Sequence, residues 1–402
     1  MKIVQINCVY KNGSTGKIVT DIHSSLCQAG YESVVYYGRG KTVKERNVFR
    51  IGNESYSNFN HLISLFTGLE YGGCYYSTGK LMRKIKKERP DVVHLHCING
   101  YFVNMYRLLN FLKQEGFSTV LTLHAEFMYT GGCGYTKGCT KYMTGCGGCP
   151  QWKDERKSLF FDRTATMWKK MKKAMEGFDK LYVVSVSPCL MERAQQATLL
   201  QGKRHCTVLN GLDTTTFVYE KDEELAKELG IENKKVILHV TSDFHNKIKG
   251  GRYVIELARR FEKRKDVVFV VVGAEGQCDL SNLIFAGKVQ KQKKLANYYS
   301  MAQITLLTSQ YETFSMPVAE SLCCGTPVVG FCAWAPERIA LKEHSAFVEY
   351  GNVDLLEEEL TRWLDLVAID KVKISQESCS YYTKENMVEE YKRLYENMRE
   401  RK

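Results

Sequence analysis

Glu312 and Glu320 lie eight positions apart in the stretch Glu312-Thr-Phe-Ser-Met-Pro-Val-Ala-Glu320-Ser-Leu-Cys-Cys-Gly325-Thr-Pro327. Glu312 reads as a loop residue, and Glu320 falls inside a short helix that begins near Pro317. A helix rises only ~1.5 Å per residue, so a carboxylate in its first turn stays near the preceding loop. The backbone N–H groups of Phe314, Ser315 and Met316 would be unpaired at that helix start, where an anion is stabilised. An anion cradle beside two acids that can accept hydroxyl hydrogen bonds suits a ligand with a pyrophosphate, a ribose and a hexose. The spacing alone would equally suit a general acid and base.

Three further segments carry polar groups at predicted strand ends. Tyr10-Lys-Asn-Gly13-Ser14-Thr15-Gly16-Lys17 joins a first strand to a first helix. Its glycines would let the backbone approach a phosphate or a sugar, or simply make a tight turn. It is not a nucleoside-triphosphate loop, because the glycines are too close together and Ile18 follows Lys17. Val240-Thr-Ser242-Asp-Phe-His-Asn-Lys247-Ile-Lys249-Gly250-Gly251 follows a strand and opens a helix. Lysines there can neutralise a leaving diphosphate, with Ser242 or Thr241 adding a hydrogen bond; the alternative is a solvated basic turn. His124, at the end of Leu121-Thr-Leu-His124, could bond a sugar hydroxyl, orient an acceptor, or be structural. His94 and His96 read as core or cleft-wall residues.

Cys133, Cys139, Cys146 and Cys149 sit in a Gly-rich stretch at 130–150. Four thiolates, two of them at C-x2-C spacing, can close a tetrahedral zinc shell with no open position, which would be structural. Unmetallated thiols are the other reading. The chain's 15 cysteines and the lack of a signal-peptide pattern predict a reducing, cytoplasmic setting. No apolar run approaches the ~20 residues of a membrane helix. Charge is uneven: residues 1–205 hold 30 Lys/Arg and 15 Asp/Glu, whereas 206–402 hold 27 and 30. A basic half could face an anionic membrane, a pyrophosphate-linked substrate or nucleic acid, or be a solvated surface. The segment 163–174 mixes Met167, Trp168 and Met171 with four lysines. It could rest on lipid headgroups or bury its Met/Trp face.

These groups need a scaffold that brings strand ends together. Apolar runs at Ile3–Val9, Ser33–Tyr37, Val92–His96, Thr119–Leu123 and Leu181–Ser185 alternate with helical patterns at Ile18–Ala29, Leu81–Glu88 and Tyr106–Gly116. The alternation restarts after Asn210-Gly211. Strands are expected at Val236–Val240, Val267–Val272, Ile304–Leu307 and Pro327–Gly330, with helices at Gly251–Lys263, Lys293–Met301 and Met316–Cys323. A chain of 402 residues suits two domains. The pattern predicts two doubly wound α/β domains facing across a cleft, 1–205 and 206–382, with a charged helix from about 383 to 402 returning to the first. Ligands of such sheets bind beyond the carboxyl ends of the strands.

Together these residues resemble the retaining glycosyltransferases of family 4, which have the two-domain GT-B architecture. The motifs occur in family order: Gly13–Gly16, Asn210-Gly211-x-Asp213-x3-Phe217, Lys249-Gly250, and Glu312-x7-Glu320 with Gly325-x-Pro327. The similarity is greatest to bacterial enzymes of capsule and surface-polysaccharide synthesis, whose Thr-Leu-His segment also runs into a Gly-Cys-Gly-x-Cys-Pro insertion. The resemblance implies that the first domain is the acceptor side and the second binds the nucleotide sugar. It implies that Glu320 holds the ribose, that Glu312 sits by the donor sugar, and that Thr313, Phe314, Ser315 and Met316 meet sugar and phosphate. Lys249, aided by Lys247 and Ser242, would neutralise the diphosphate. His124 would contact the donor sugar near its reacting carbon, and Gly13, Ser14, Thr15 and Gly16 would line the phosphate side. Two departures stand out. Phe244 and Asp243 occupy the positions of the family's usual Arg, and Ala125 follows His124 where Asp is common.

The expected activity is metal-independent hexosyl transfer from a nucleotide-diphosphate sugar to a glycan or lipid-diphosphate-glycan acceptor, with no cofactor needed for catalysis. No Asp-x-Asp pair is present to hold Mn²⁺ or Mg²⁺. The expected location is the cytoplasm, with peripheral contact at the inner membrane face and no nucleic-acid partner. The alternatives are a GT-B sugar-nucleotide epimerase and a non-enzymatic zinc and nucleic-acid binder.

Overall fold

Aliphatic and β-branched runs buried on both faces form the strands of two parallel sheets, as doubly covered sheets require. A computed structural model of the chain describes residues 1–153, 158–276, 278–366 and 368–400. The chain forms two compact units, Met1–Leu209 with Met387–Lys402, and Asn210–Asn386.

In the first unit the strands are β1 (Lys2–Asn7), β2 (Glu32–Tyr37), β3 (Val48–Arg50), β4 (Val92–Leu95), β5 (Thr119–Leu123), β6 (Leu181–Ser185) and β7 (Arg204–Thr207). They pair in parallel in the order β3-β2-β1-β4-β5-β6-β7. The helices between them include α1 (Gly13–Gln28), α2 (Glu54–Thr67), α3 (Tyr75–Glu88), α4 (Met105–Gln114), α5 (Thr164–Met175) and α6 (Pro188–Gln196). α1 begins five residues before its expected start. The Asn12 side chain accepts from the Gly13 N–H and caps it. Gly13–Gly16 is thus the first helical turn and not a loop ahead of it. The Met/Trp face of α5 is core: Met167, Trp168, Met171 and Met175 are buried, and its lysines are exposed.

In the second unit the strands are β8 (Lys235–Val240), β9 (Val267–Val272), β10 (Leu283–Phe285), β11 (Ile304–Leu307), β12 (Val328–Phe331) and β13 (Ser345–Val348). Their order is β10-β9-β8-β11-β12-β13, again all parallel. Helices α7 (Glu224–Leu229), α8 (Gly251–Arg260), α9 (Gln292–Met301), α10 (Met316–Cys323), α11 (Pro336–Ile339), α12 (Val353–Leu364) and α13 (Lys371–Tyr381) surround it. In this doubly wound order the sequence of strands reverses between β8 and β11, the place where such sheets bind ligands beyond their carboxyl ends. Ile237 pairs with Ile304 and Leu238 with Thr305, which brings the two strands' carboxyl ends to one level.

The last helix, α14 (Lys384–Glu400), starts in the second unit and runs into the first. There Met387, Val388, Tyr391, Tyr395 and Met398 pack with Ile3, Ile18, Ile22 and Val120. Tyr391→Ala removes a fully buried ring and its hydroxyl contact to Thr122. It should cost about 3–5 kcal/mol of unfolding free energy, read from urea titration. A loss below about 1 kcal/mol would mean that the helix is not part of that core.

Candidate active site

Beyond β8 and β11 the two loops are tied together. The Gln310 N–H donates to Ile248 O (2.7 Å), and the Thr308 hydroxyl donates to Lys249 O (3.0 Å). This close approach needs glycine. Gly250 has φ +71°, and a Cβ there would stand 2.1 Å from Thr308 O. An Asx turn, with the Ile248 N–H donating to the Asn246 side chain, shapes the loop just before it. The result places Lys249 Nζ 2.7 Å from Glu312 Oε1. Both side chains are mostly shielded, 27% and 11% exposed, so the pair is screened less than a surface pair would be.

Glu312 is held from its other side by a segment that pattern reading missed. Its N–H donates to Ala333 O (3.0 Å), and it forms an isolated bridge with Trp334. Trp334 adopts φ +83°, and its ring meets Tyr311 edge-on at 5.6 Å. Both carboxylate oxygens of Glu337 accept backbone N–H groups, from Ala333 (3.0 Å) and Trp334 (2.9 Å). Only a non-glycine residue forced to positive φ marks this turn, and that is invisible in sequence.

Ser315, at the entry to α10, also has positive φ (+79°), and Pro317 occupies the first helical turn. Its buried hydroxyl has no hydrogen-bond partner among the described residues. Phe314 is buried, so it contributes backbone and packing. Strain and an unsatisfied polar group at one residue are typical of a site shaped for a ligand. Glu320 lies one turn into α10, half-buried, with Oε2 accepting from the Tyr299 hydroxyl at 3.0 Å. Tyr299 is itself anchored where the Thr326 hydroxyl donates to its carbonyl (2.6 Å).

The structure therefore brings Lys249 and Glu312 into contact and puts Phe314–Met316 and Glu320 on the continuation of the Glu312 loop. Lys247 and Ser242 are exposed on the β8 loop. Phe244 turns into the core, where its ring meets His239 and Phe285, so it does not replace the family's Arg in function.

His124 and Gly13–Gly16 belong to the first unit. His124 Nε2 lies 3.2 Å from His96 Nδ1, and the rings stack at 5.5 Å. His96 stacks in turn on His94, which bonds the Tyr395 hydroxyl (2.7 Å) and Thr122 (2.7 Å). Burial pushes His124 down to about 4, so it is neutral at physiological pH. Gly16 packs against Val9 and the Lys11 backbone, and Thr15 bonds Cys97.

The four insertion cysteines line one cavity of about 20 Å³ with Tyr142 and Thr164. Sulfurs in a closed zinc shell stand roughly 3.8 Å apart, given Zn–S of ~2.3 Å. These four do not gather so closely. Among the described residues, the one group with ligand atoms all within 4.8 Å of one another is Glu343, His344 and Glu377. The loop is anchored instead by a buried ion pair between Arg193 and Glu126 (2.6 Å), whose second oxygen accepts the Thr136 N–H (2.5 Å).

Residues 221–386 match the family model Glycosyl transferases group 1. The whole chain is similar to WcaC of Escherichia coli (strain K12), named as a colanic acid biosynthesis glycosyl transferase. Identity is 24%, covering 99% of this chain and all of the relative. N-acetyl-alpha-D-glucosaminyl L-malate synthase of Bacillus anthracis is 24% identical, over 47% of this chain and 52% of its own. Among solved structures, Anabaena HepE in complex with UDP superposes with TM-score 0.67 at 14% identity, covering 99% of this chain and 100% of its own. WaaG, a glycosyltransferase involved in lipopolysaccharide biosynthesis, superposes with TM-score 0.64 at 15% identity, covering 96% and 98%. The chain is a glycosyltransferase with the GT-B fold, and its residues 221–386 carry the match to the group 1 family.

Burial also pushes His239 down to about 4. A histidine with a lowered folded pKa is kept neutral by the fold, so stability is full above pH 6.5 and falls as pH drops toward 4. Unfolding free energy should decline over that window. His239→Leu should flatten the decline by about one proton, read from urea titrations at several pH values. An unchanged slope in the variant would contradict a neutral, buried His239.

Proposed function

We propose that this glycosyltransferase is a retaining, metal-independent enzyme of surface-polysaccharide synthesis. It moves a hexose from a UDP-sugar to a glycan carried on a lipid diphosphate, at the inner face of the membrane. The observation that carries this reading is the Lys249–Glu312 pair at the point where the strand order reverses between β8 and β11. The HepE complexes with UDP and with UDP-glucose support the choice of nucleotide, and the WcaC likeness supports the class of product.

In this reading the ribose hydroxyls bond Glu320, whose second oxygen the Tyr299 hydroxyl holds in place. The diphosphate lies on the amides of Phe314–Met316 at the start of α10, with Lys249 beside it. As the bond between the donor C1 and the diphosphate oxygen breaks, negative charge grows on the leaving UDP. Lys249 and the helix terminus stabilise that charge. Glu312 orients the Lys249 ammonium, which has three donors and can hold carboxylate and phosphate together. The acceptor hydroxyl attacks C1 from the face that UDP leaves, and its proton passes to a UDP phosphate oxygen. His124, neutral, is suited to hydrogen-bond a donor hydroxyl and not to carry a positive charge.

Structural zinc in the insertion remains part of this proposal. The support for it is the donor set: four thiols, the ligands zinc prefers, line one small cavity. Zinc there would tie the loop together and take no part in the transfer.

Lys249→Ala should lower kcat by roughly 10²–10³-fold, the usual cost of one transition-state donor. Glu320→Ala should chiefly raise the donor KM. Wild-type kinetics in both would remove the site assignment. Purified protein should contain one zinc per chain by elemental analysis, and Cys146→Ala should lose it with a lower Tm; metal-free wild type would refute the zinc. A nucleotide-sugar panel followed by mass spectrometry, with and without lipid-diphosphate glycans, tests the function as a whole. Transfer that needs both partners supports it, and acceptor-independent epimerisation overturns it.

A further inference from the structure

The helix α2 is amphipathic in the wrong sense for a soluble fold. Its inward positions include Ser57 and Ser64, both buried, while Phe59 (61% exposed), Leu62 (50%), Ile63 (44%) and Phe66 (49%) form its outer stripe. Helices on soluble domains place such a stripe against the core. The stripe continues onto a second segment. The Leu159 N–H donates to Leu65 O (3.0 Å), and the exposed rings of Phe66 and Phe160 lie 6.0 Å apart. Gly68, which ends α2 at φ +70°, fits the two segments together, since a Cβ there would stand 2.5 Å from Phe161 O. A contiguous apolar ridge of this kind marks an interaction surface.

Its flank is basic. The Arg163 guanidinium lies 5.3 Å over the Phe161 ring. α5 starts at the next residue and exposes Lys169, Lys170, Lys172 and Lys173 while its apolar side faces the core. Asp162 is occupied by the N–H groups of Cys149 (2.6 Å) and Thr164 (2.9 Å). Among the described residues no helix is long and apolar enough to cross a membrane. Aromatic and aliphatic side chains beside cationic ones match the headgroup–acyl boundary of a negatively charged bilayer.

We propose that the outer face of α2 and the 159–161 segment dock the first unit onto an anionic phospholipid bilayer, with Arg163 and the α5 lysines against the headgroups. This deepens the proposed function by naming the surface that meets the membrane. It stands or falls without donor or acceptor.

Full-length protein is sedimented with vesicles of phosphatidylglycerol and phosphatidylcholine, and with pure phosphatidylcholine vesicles. Binding to the anionic vesicles is expected, weaker by at least about tenfold on the neutral ones and reduced by salt. The triple variant Phe59→Ser, Phe66→Ser, Phe160→Ser should lose anionic-vesicle binding by at least about tenfold, with an unchanged Tm. Lys169→Gln with Lys173→Gln should weaken binding and reduce its salt dependence. Wild type that stays in the supernatant overturns the proposal, as does a triple variant that binds like wild type. If sedimentation velocity shows a dimer that the triple variant dissolves, with no vesicle binding, the ridge joins two copies of the chain and the proposal fails. Loss of transferase activity with vesicle binding intact would count against the proposed function alone.

Discussion

The contact between Lys249 and Glu312 governs the arrangement of the second unit's site. A lysine and a carboxylate at 2.7 Å, both largely shielded, must be held by backbone that itself cannot drift. That backbone is fixed by the doubly wound strand order, which sets β8 beside β11 so that the loops after them meet. It is fixed again by Gly250, whose missing Cβ lets the lysine loop lie directly on Thr308. In the proposed reading, a charge placed this way would need little reorganisation when a diphosphate arrives, and such preorganisation is where electrostatic catalysis gains most.

The same economy appears around the pair. Glu337 accepts two backbone N–H groups in the turn that carries Trp334, and that turn receives Glu312. Tyr299 restrains one oxygen of Glu320 and leaves the carboxylate able to accept further bonds. In the first unit, a stack of buried neutral histidines carries His124 at one end and reaches Tyr395 of α14 at the other. The strand-end histidine is therefore fixed by a helix more than 250 residues later in the chain.

Much of this was legible in the residues, for reasons that can be named. α10 was read at both ends because Pro317 starts it and Gly325 follows it, and its observed bounds are Met316–Cys323. The inner strands of both sheets are visible because parallel strands buried on both faces are continuous apolar runs, whereas the edge strands β3, β7, β10 and β13 are short and only partly buried and carry no such run. The start of α1 was misplaced because Gly13 and Gly16 are poor helix formers, and the Asn12 cap outweighs them. α2 went unread because its apolar stripe faces outward over buried serines, the reverse of the pattern that identifies a helix on a core. Trp334 and Glu337 act through backbone turns, which leave no spacing signature. The cysteine spacing suggested a closed shell, whereas the side chains line a cavity without gathering to that distance.

In the proposed function the loops after β8 and β11 receive the donor diphosphate. The most direct measurement is a crystal structure of the full chain with UDP. Phosphate oxygens should lie within about 3 Å of Lys249 Nζ and of the amides at the start of α10, with the ribose hydroxyls on Glu320. UDP seated elsewhere, with the Lys249–Glu312 contact untouched and Glu320 facing no ribose, would contradict it.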